Sequence, residues 1–217
     1  MKKHSDFKNL HIVDHPLVQD KLSRMRDKNT PMPAFRRLLK EIALLMGYEV
    51  TKALPVGSKA VETPLCTMEA PVLEGPPPVI VPVLRAGQGM AEGLIELLPE
   101  SPIGYVGVYR DEQTHRPVEY LKKLPPYRDG QAYIVVDPML ATGHSSEHVF
   151  RLLVENGVPR DKIIFMALVA APEGVRVVEA ACPEIPVYVA ALDEKLNDNA
   201  FIEPGLGDAG DRLFGTV

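Results

Sequence analysis

The densest run of chemistry-bearing residues is Val135-Val136-Asp137-Pro138-Met139-Leu140-Ala141-Thr142-Gly143-His144-Ser145. An apolar run ends in an acid, and a Thr-Gly-x-Ser turn leads into a helical pattern. Such a turn cradles an anion: Gly143 lets the backbone turn tightly, the first helix amides point outward, and Thr142 and Ser145 add hydroxyl donors. Asp137 is placed to accept hydrogen bonds from hydroxyl groups beside a bound phosphate. Other readings stay open. A nucleoside-triphosphate P-loop fails, because no G-x-x-x-x-G-K-[ST] occurs. A hydrolase elbow is nearly present in Gly143-His144-Ser145-Ser146-Glu147, but Glu147 stands where the closing glycine belongs. A plain strand-to-helix connection with serine as N-cap also fits.

A second segment, Leu84-Arg85-Ala86-Gly87, follows another apolar run, so its amides and the Arg85 guanidinium could meet a diphosphate. Alone, Gly87-Gln88-Gly89 is a weak dinucleotide-like signal, and an ordinary turn is the favoured reading. Tyr109-Arg110-Asp111-Glu112 opens a polar stretch through Tyr120 and Lys123, which by itself reads as an exposed hairpin with solvated charges. Cys66 and Cys182 are the two cysteines, and they have neither metal-ligand nor redox spacing.

The elements that must hold these residues follow from periodicity. Pro16 to Arg26 reads as a short helix, and about Pro33 to Met46 as a stronger one, with Gly47 as its stop. Short β-rich runs fall at Val79–Val83, Ile103–Tyr109, Tyr133–Val136, Ile163–Val169 and Val187–Leu192, with helical segments near Met90–Leu98 and Ser145–Glu155. Strands alternating with helices predict an α/β fold with a mainly parallel sheet flanked by helices. Ligands of such sheets bind beyond the carboxyl ends of the strands.

The chain has 217 residues, enough for one sizeable core, with 46% hydrophobic and 24% charged residues. A net charge of -5 argues against a general polyanion binder but not against a small anionic ligand. The first eight residues carry basic groups without an apolar run behind them, and no stretch approaches the ~20 residues of a membrane span. The expectation is a cytoplasmic protein that binds neither nucleic acid nor membrane.

Asp137-Pro138-Met139-Leu140-Ala141-Thr142-Gly143-x-Ser145 resembles the phosphoribosyl-diphosphate signature of uracil phosphoribosyltransferases. Related phosphoribosyltransferases carry two acids where this family has Asp-Pro. Further segments resemble family landmarks in the expected order: His15-Pro16-Leu17-Val18, Glu62-Thr63-Pro64, Val81 to Gly87, Tyr109 to Glu112, Lys123-Leu124-Pro125, Ala171-Pro172-Glu173-Gly174 and Pro204 to Arg212.

The resemblance implies a type I phosphoribosyltransferase fold: a helical N-terminal arm over residues 1–50, a core over 75–217, a mobile flap at about 105–125, and a C-terminal uracil-binding hood at 200–212. It implies transfer of the phosphoribosyl group to uracil, giving UMP in pyrimidine salvage. Carried over residue by residue, it implies that Arg85, Arg110, Asp208 and the loop Asp137, Pro138, Met139, Leu140, Ala141, Thr142, Gly143, His144 and Ser145 bind phosphoribosyl diphosphate. Ile202, Gly207, Asp208 and Ala209 would surround uracil, with Asp137, Arg110 and Asp208 nearest the chemistry. Gly205, Gly207 and Gly210 clear space for backbone groups to match a small, uncharged imide. The family further implies Mg²⁺ held mainly through the substrate, with no dedicated protein metal ligands, GTP as a candidate activator, and a homodimer or higher oligomer. Three positions depart from its pattern. His144 replaces a glycine, and His115 and Gln88 replace residues that are usually apolar. An RNA-binding regulator on the same fold would need a basic face, which the acidic balance disfavours.

Overall fold

The computed structural model describes residues 2–3, 5–110 and 117–216. The chain begins with a short pair, β1 (Lys2–Lys3) and β2 (Leu10–Ile12), then two helices, α1 (Pro16–Arg26) and α2 (Met32–Val50). A hairpin of β3 (Val56–Glu62) and β4 (Thr67–Leu73) follows. The alternating part runs β5 (Val79–Leu84), α3 (Gly87–Leu97), β6 (Tyr105–Arg110), β7 (Pro117–Lys123), β8 (Tyr133–Val136), β9 (Met139–Leu140), α4 (His144–Glu155), β10 (Ile163–Ala170), α5 (Pro172–Ala181) and β11 (Val187–Leu192). A small pair, β12 (Lys195–Leu196) and β13 (Ile202–Glu203), and helix α6 (Ala209–Phe214) complete it.

The main sheet has the order β1-β2-β11-β10-β8-β5-β6-β7, with β9 attached to β10. Strands β2, β11, β10, β8, β5 and β6 are parallel, and β1 and β7 pair antiparallel at the two edges. The apolar runs of β5, β8 and β10 occupy the centre because both their faces are covered. Alternate residues then enter opposite cores. Ile80, Ile134 and Met166 pack with Val18, Leu22, Met25, Phe35, Leu39 and Ile42 of α1 and α2 and with Met90 of α3. Val81, Val135 and Phe165 pack with Val149, Phe150, Leu153, Val175 and Val178 of α4 and α5.

Two glycines behave differently from the sequence expectation. Gly47 does not stop α2, which continues to Val50. A Cβ there would run into Leu94 of α3, and one on Gly93 would lie 3.0 Å from the Ala43 Cβ, so these glycines let the two helices approach closely. The Thr51 hydroxyl closes α2, donating to the Gly47 carbonyl at 2.8 Å. Gly87 opens α3 rather than standing in a turn before it. Ile103, expected at the start of a strand, makes only an isolated bridge to Ile80. The β3–β4 hairpin, α5 and α6 were not anticipated from periodicity.

Strand order reverses between β5 and β8. From β5 the chain crosses over α3 to β6, and from β8 over α4 to β10 on the other side. The connecting loops diverge, which opens a crevice at the carboxyl ends of β5 and β8.

Candidate active site

Both sequence-predicted loops lead out of that crevice. Arg85 follows β5 directly, Asp137 follows β8, and an added Cβ on Gly87 would run into the Val136 carbonyl. The start of α3 therefore packs on the end of β8, and the two loops leave the sheet side by side.

The loop after β8 is held from behind. Pro138 and Leu140 are buried, and Met139 and Leu140 pair with Val169 and Ala170 of β10. The Pro138 carbonyl accepts from Leu168 and Val169, and the Leu140 carbonyl from Ala171. Those groups build the loop, and its open side is left to Asp137, Thr142, Ser145 and the first amides of α4. Gly143 has φ +83°, a conformation that glycine adopts without strain, and a Cβ there would lie 2.6 Å from the Gly174 carbonyl. Gly174 reciprocates, because its own Cβ would run into the Ala141 carbonyl. Two facing glycines thus dock the loop on the first turn of α5. Glu173 in that turn also accepts from the Leu196 N–H at 3.2 Å, tying the loop's support to the C-terminal segment.

Gly143, which has no side chain to cap with, is the N-cap of α4. The serine-cap reading is thereby removed. The helix start keeps outward amides for an anion. No hydrogen bond joins Ser145 to a histidine among the described residues, so a hydrolase dyad is not assembled. His144 is exposed and leans toward Glu147, with Nδ1 3.8 Å from the carboxylate. Asp137 is half-buried, and its Oδ1 accepts from the Met139 N–H at 3.2 Å. Burial pushes its carboxyl up to about 7, against the smaller opposing effect of that hydrogen bond.

Arg85 reaches across to α6. Its guanidinium lies 5.6 Å from the Phe214 ring centroid, with Nη2 3.9 Å from Asp211 Oδ1. Gly210 lies beside it, and a Cβ there would sit at ordinary contact distance, 3.8 Å, from Nη2. Gln88 donates its N–H to the Arg85 carbonyl at 3.2 Å, and its side-chain carbonyl oxygen is buried without a partner among the described residues. β6, parallel to β5, brings Arg110 to the same edge of the sheet. The Arg110 side chain and His115 lie outside the described residues.

The C-terminal segment forms the remaining wall. Ile202 and Ala209 bury their side chains in the core beside α2 and α3, which leaves them backbone groups to offer. Gly207 (φ +77°) and Asp208 are exposed, and Gly207 N–H and C=O make no hydrogen bond among the described residues. Asp208 caps α6, accepting from the Asp211 N–H at 2.9 Å.

Sequence reasoning missed the groups that hold this wall. Arg26 of α1 forks onto Asp193, which follows β11, at 2.6 and 2.7 Å. Both bind Gly205: Arg26 donates to its carbonyl at 2.6 Å, and its N–H donates to Asp193 at 3.0 Å. Arg212 donates to the carbonyls of Met25, Leu206 and Asp27, and its guanidinium lies 4.5 Å from the Phe35 ring centroid. Arg36 donates to the Leu213 carbonyl at 2.6 Å. A lone Arg26 at a helix end carries no sequence signal of this role.

Chemically, the crevice joins an anion cradle, a carboxylate, a guanidinium and a slot lined by backbone. No three His, Cys, Asp or Glu side chains converge as a metal cage among the described residues. Among the described residues no helix is long and apolar enough to cross a membrane. A separate cavity of about 660 Å³ opens at the amino ends of the strands, between Val50, Leu54, Leu73, Leu98, Ile164 and Tyr188, and shares none of these residues.

The uracil phosphoribosyltransferase family model matches residues 12–216. A uracil phosphoribosyltransferase of Rhodospirillum centenum is 61% identical over 216 residues, covering 100% of both chains. One of Burkholderia thailandensis is 57% identical, covering 100% of this chain and 99% of its own. The solved structure of a protein from Aquifex aeolicus superposes with a TM-score of 0.90 at 33% identity, covering 95% of this chain and 98% of the other. A hypoxanthine-guanine phosphoribosyltransferase of Bacillus anthracis shares the fold at a TM-score of 0.51 and 16% identity, over 75% of this chain and 80% of its own.

Proposed function

The chain belongs to the uracil phosphoribosyltransferase family, and we propose accordingly that it transfers the 5-phosphoribosyl group of phosphoribosyl diphosphate to uracil, yielding UMP and diphosphate. The observation that carries this reading is the packing of Gly87 against the Val136 carbonyl at the strand-order reversal, which brings the segments starting at Arg85 and Asp137 side by side, with the C-terminal segment against Arg85.

On this reading the 5′-phosphate sits on the amides of α4 with the Thr142 and Ser145 hydroxyls. Asp137 accepts from the ribose hydroxyls, a role that needs its carboxylate form. The bond from the anomeric carbon to the diphosphate oxygen breaks as the uracil nitrogen bonds to that carbon from the opposite face, and the nitrogen gives up its proton. Charge on the departing diphosphate is met by Arg85 and Arg110. Mg²⁺ carried by the substrate, rather than by dedicated protein ligands, would supply further neutralisation. Asp208 is a candidate to take the uracil proton. Uracil presents an imide N–H between two carbonyls, and the unpaired backbone groups of Gly207 together with the Ala209 N–H suit that pattern. Cytosine would leave such groups mismatched, at about 1–3 kcal/mol per group.

The same reading gives a cytoplasmic enzyme that works as a homodimer or higher oligomer, with GTP as a candidate activator. Support for self-association comes from the β3–β4 hairpin, which exposes Val56, Leu65, Met68 and Leu73, with Leu65 95% exposed. Initial-rate assays with uracil, phosphoribosyl diphosphate and Mg²⁺, with and without GTP, test the function. UMP formation that is absent with cytosine is expected; no UMP under either condition overturns the reading.

A further inference from the structure

Resting on the reading of the C-terminal segment as the base site, we propose that Arg26 and Asp193 are positioning residues that set uracil affinity by fixing the backbone from Gly205 to Asp208. Neither needs to touch substrate. Their fork engages both polar groups of Gly205, so this residue is held rather than offered to a ligand. Gly205 has φ +56°, and a Cβ on it would run into the Ile202 carbonyl, so the chain turns there in a way that only glycine permits. Gly207 follows two residues later, and its direction is inherited from that turn.

The fork is deeply placed. The Asp193 side chain is 4% exposed and that of Arg26 23%. Burying an ion pair gains little stability over apolar residues but fixes one geometry, since an unpaired member is strongly disfavoured. α1 does not depend on it for attachment, because Val18, Leu22 and Met25 already bury its inner face. The last turn of α1 carries a second fastening, with Arg212 joining the Leu206 carbonyl to those of Met25 and Asp27. The end of α1 is therefore the platform to which the base-binding segment is bolted, while the phosphate loop rests on α5.

That division predicts a split in kinetic constants. Asp193→Asn keeps shape but removes the charge facing Arg26, and Arg26→Lys keeps the charge but loses the fork. In each, KM for uracil should rise about tenfold or more, while KM for phosphoribosyl diphosphate and kcat at saturating uracil stay within about threefold. The double variant should lose little beyond the worse single one. Val149→Ala, on the opposite face of the sheet, serves as a comparison that lowers the melting temperature while leaving uracil KM unchanged. Unchanged uracil KM in a folded Asp193→Asn or Arg26→Lys variant overturns the inference. So does a parallel rise of both KM values that tracks melting temperature. If the wild-type protein makes UMP and only the split is missing, the inference falls alone. If the wild type makes none, the reading beneath it falls too.

Discussion

Asp137 is where stability and the proposed function conflict. Its carboxyl is raised to about 7 in the folded chain from an ordinary value of 3.8. Between those values the native state binds more protons than the unfolded state, so stability falls as pH rises from about 4 to about 7. Asp137→Asn removes that cost. Its melting temperature should equal the wild type's near pH 4 and exceed it by about 3 °C or more at pH 8. Activity should move the other way, with kcat/KM for phosphoribosyl diphosphate falling by on the order of 10². A melting curve series and initial rates on the same two proteins check both signs. His144 makes a smaller difference. It is exposed beside Glu147, so His144→Gly should change KM for phosphoribosyl diphosphate by less than about fivefold. At this scale the loop was legible, because an acid, a glycine and hydroxyls fall within nine consecutive residues. Arg26, Asp193 and Gly174 were not, because their partners lie far away; the Arg26–Asp193 fork spans 167 positions.

Among the elements, the phosphate loop depends on α5 more than its local sequence implies. Alanine at Gly143 would meet both the positive φ, at roughly 1–2 kcal/mol, and the Gly174 carbonyl. Alanine at Gly174 would meet the Ala141 carbonyl without any backbone strain of its own. Both variants should lower the melting temperature and raise KM for phosphoribosyl diphosphate, with Gly143→Ala the more severe. Equal uracil and phosphoribosyl diphosphate effects would contradict the separate supports described above. The central strands were readable as short apolar runs with β-branched residues. The β3–β4 hairpin was not, because its residues face solvent and the alternation that marks a half-buried strand is absent. Gly47 misled for a related reason: a glycine after an apolar face looks like a helix stop, and only the approach of Leu94 shows it to be a packing position. α6 spans six residues, too few for periodicity to mark.

For the molecule as a whole, two cores on opposite faces of one sheet divide the work. The α1–α3 side carries the C-terminal segment, the α4–α5 side carries the phosphate loop, and the crevice lies where the strand order turns between them. The exposed hairpin belongs to this scale as well. Leu65→Lys should shift the mass in light scattering toward the monomer; an unchanged oligomer would remove the hairpin from the interface. The central claim is that one crevice holds both substrates. Hydrogen exchange measured with and without phosphoribosyl diphosphate and Mg²⁺, then with UMP, tests it most directly. The account predicts slowed exchange at residues 84–88 and 139–146 with the first, extending to 205–210 with UMP. Slowed exchange around Val50, Leu98 and Ile164, at the amino ends of the strands, with none at 139–146, would contradict it.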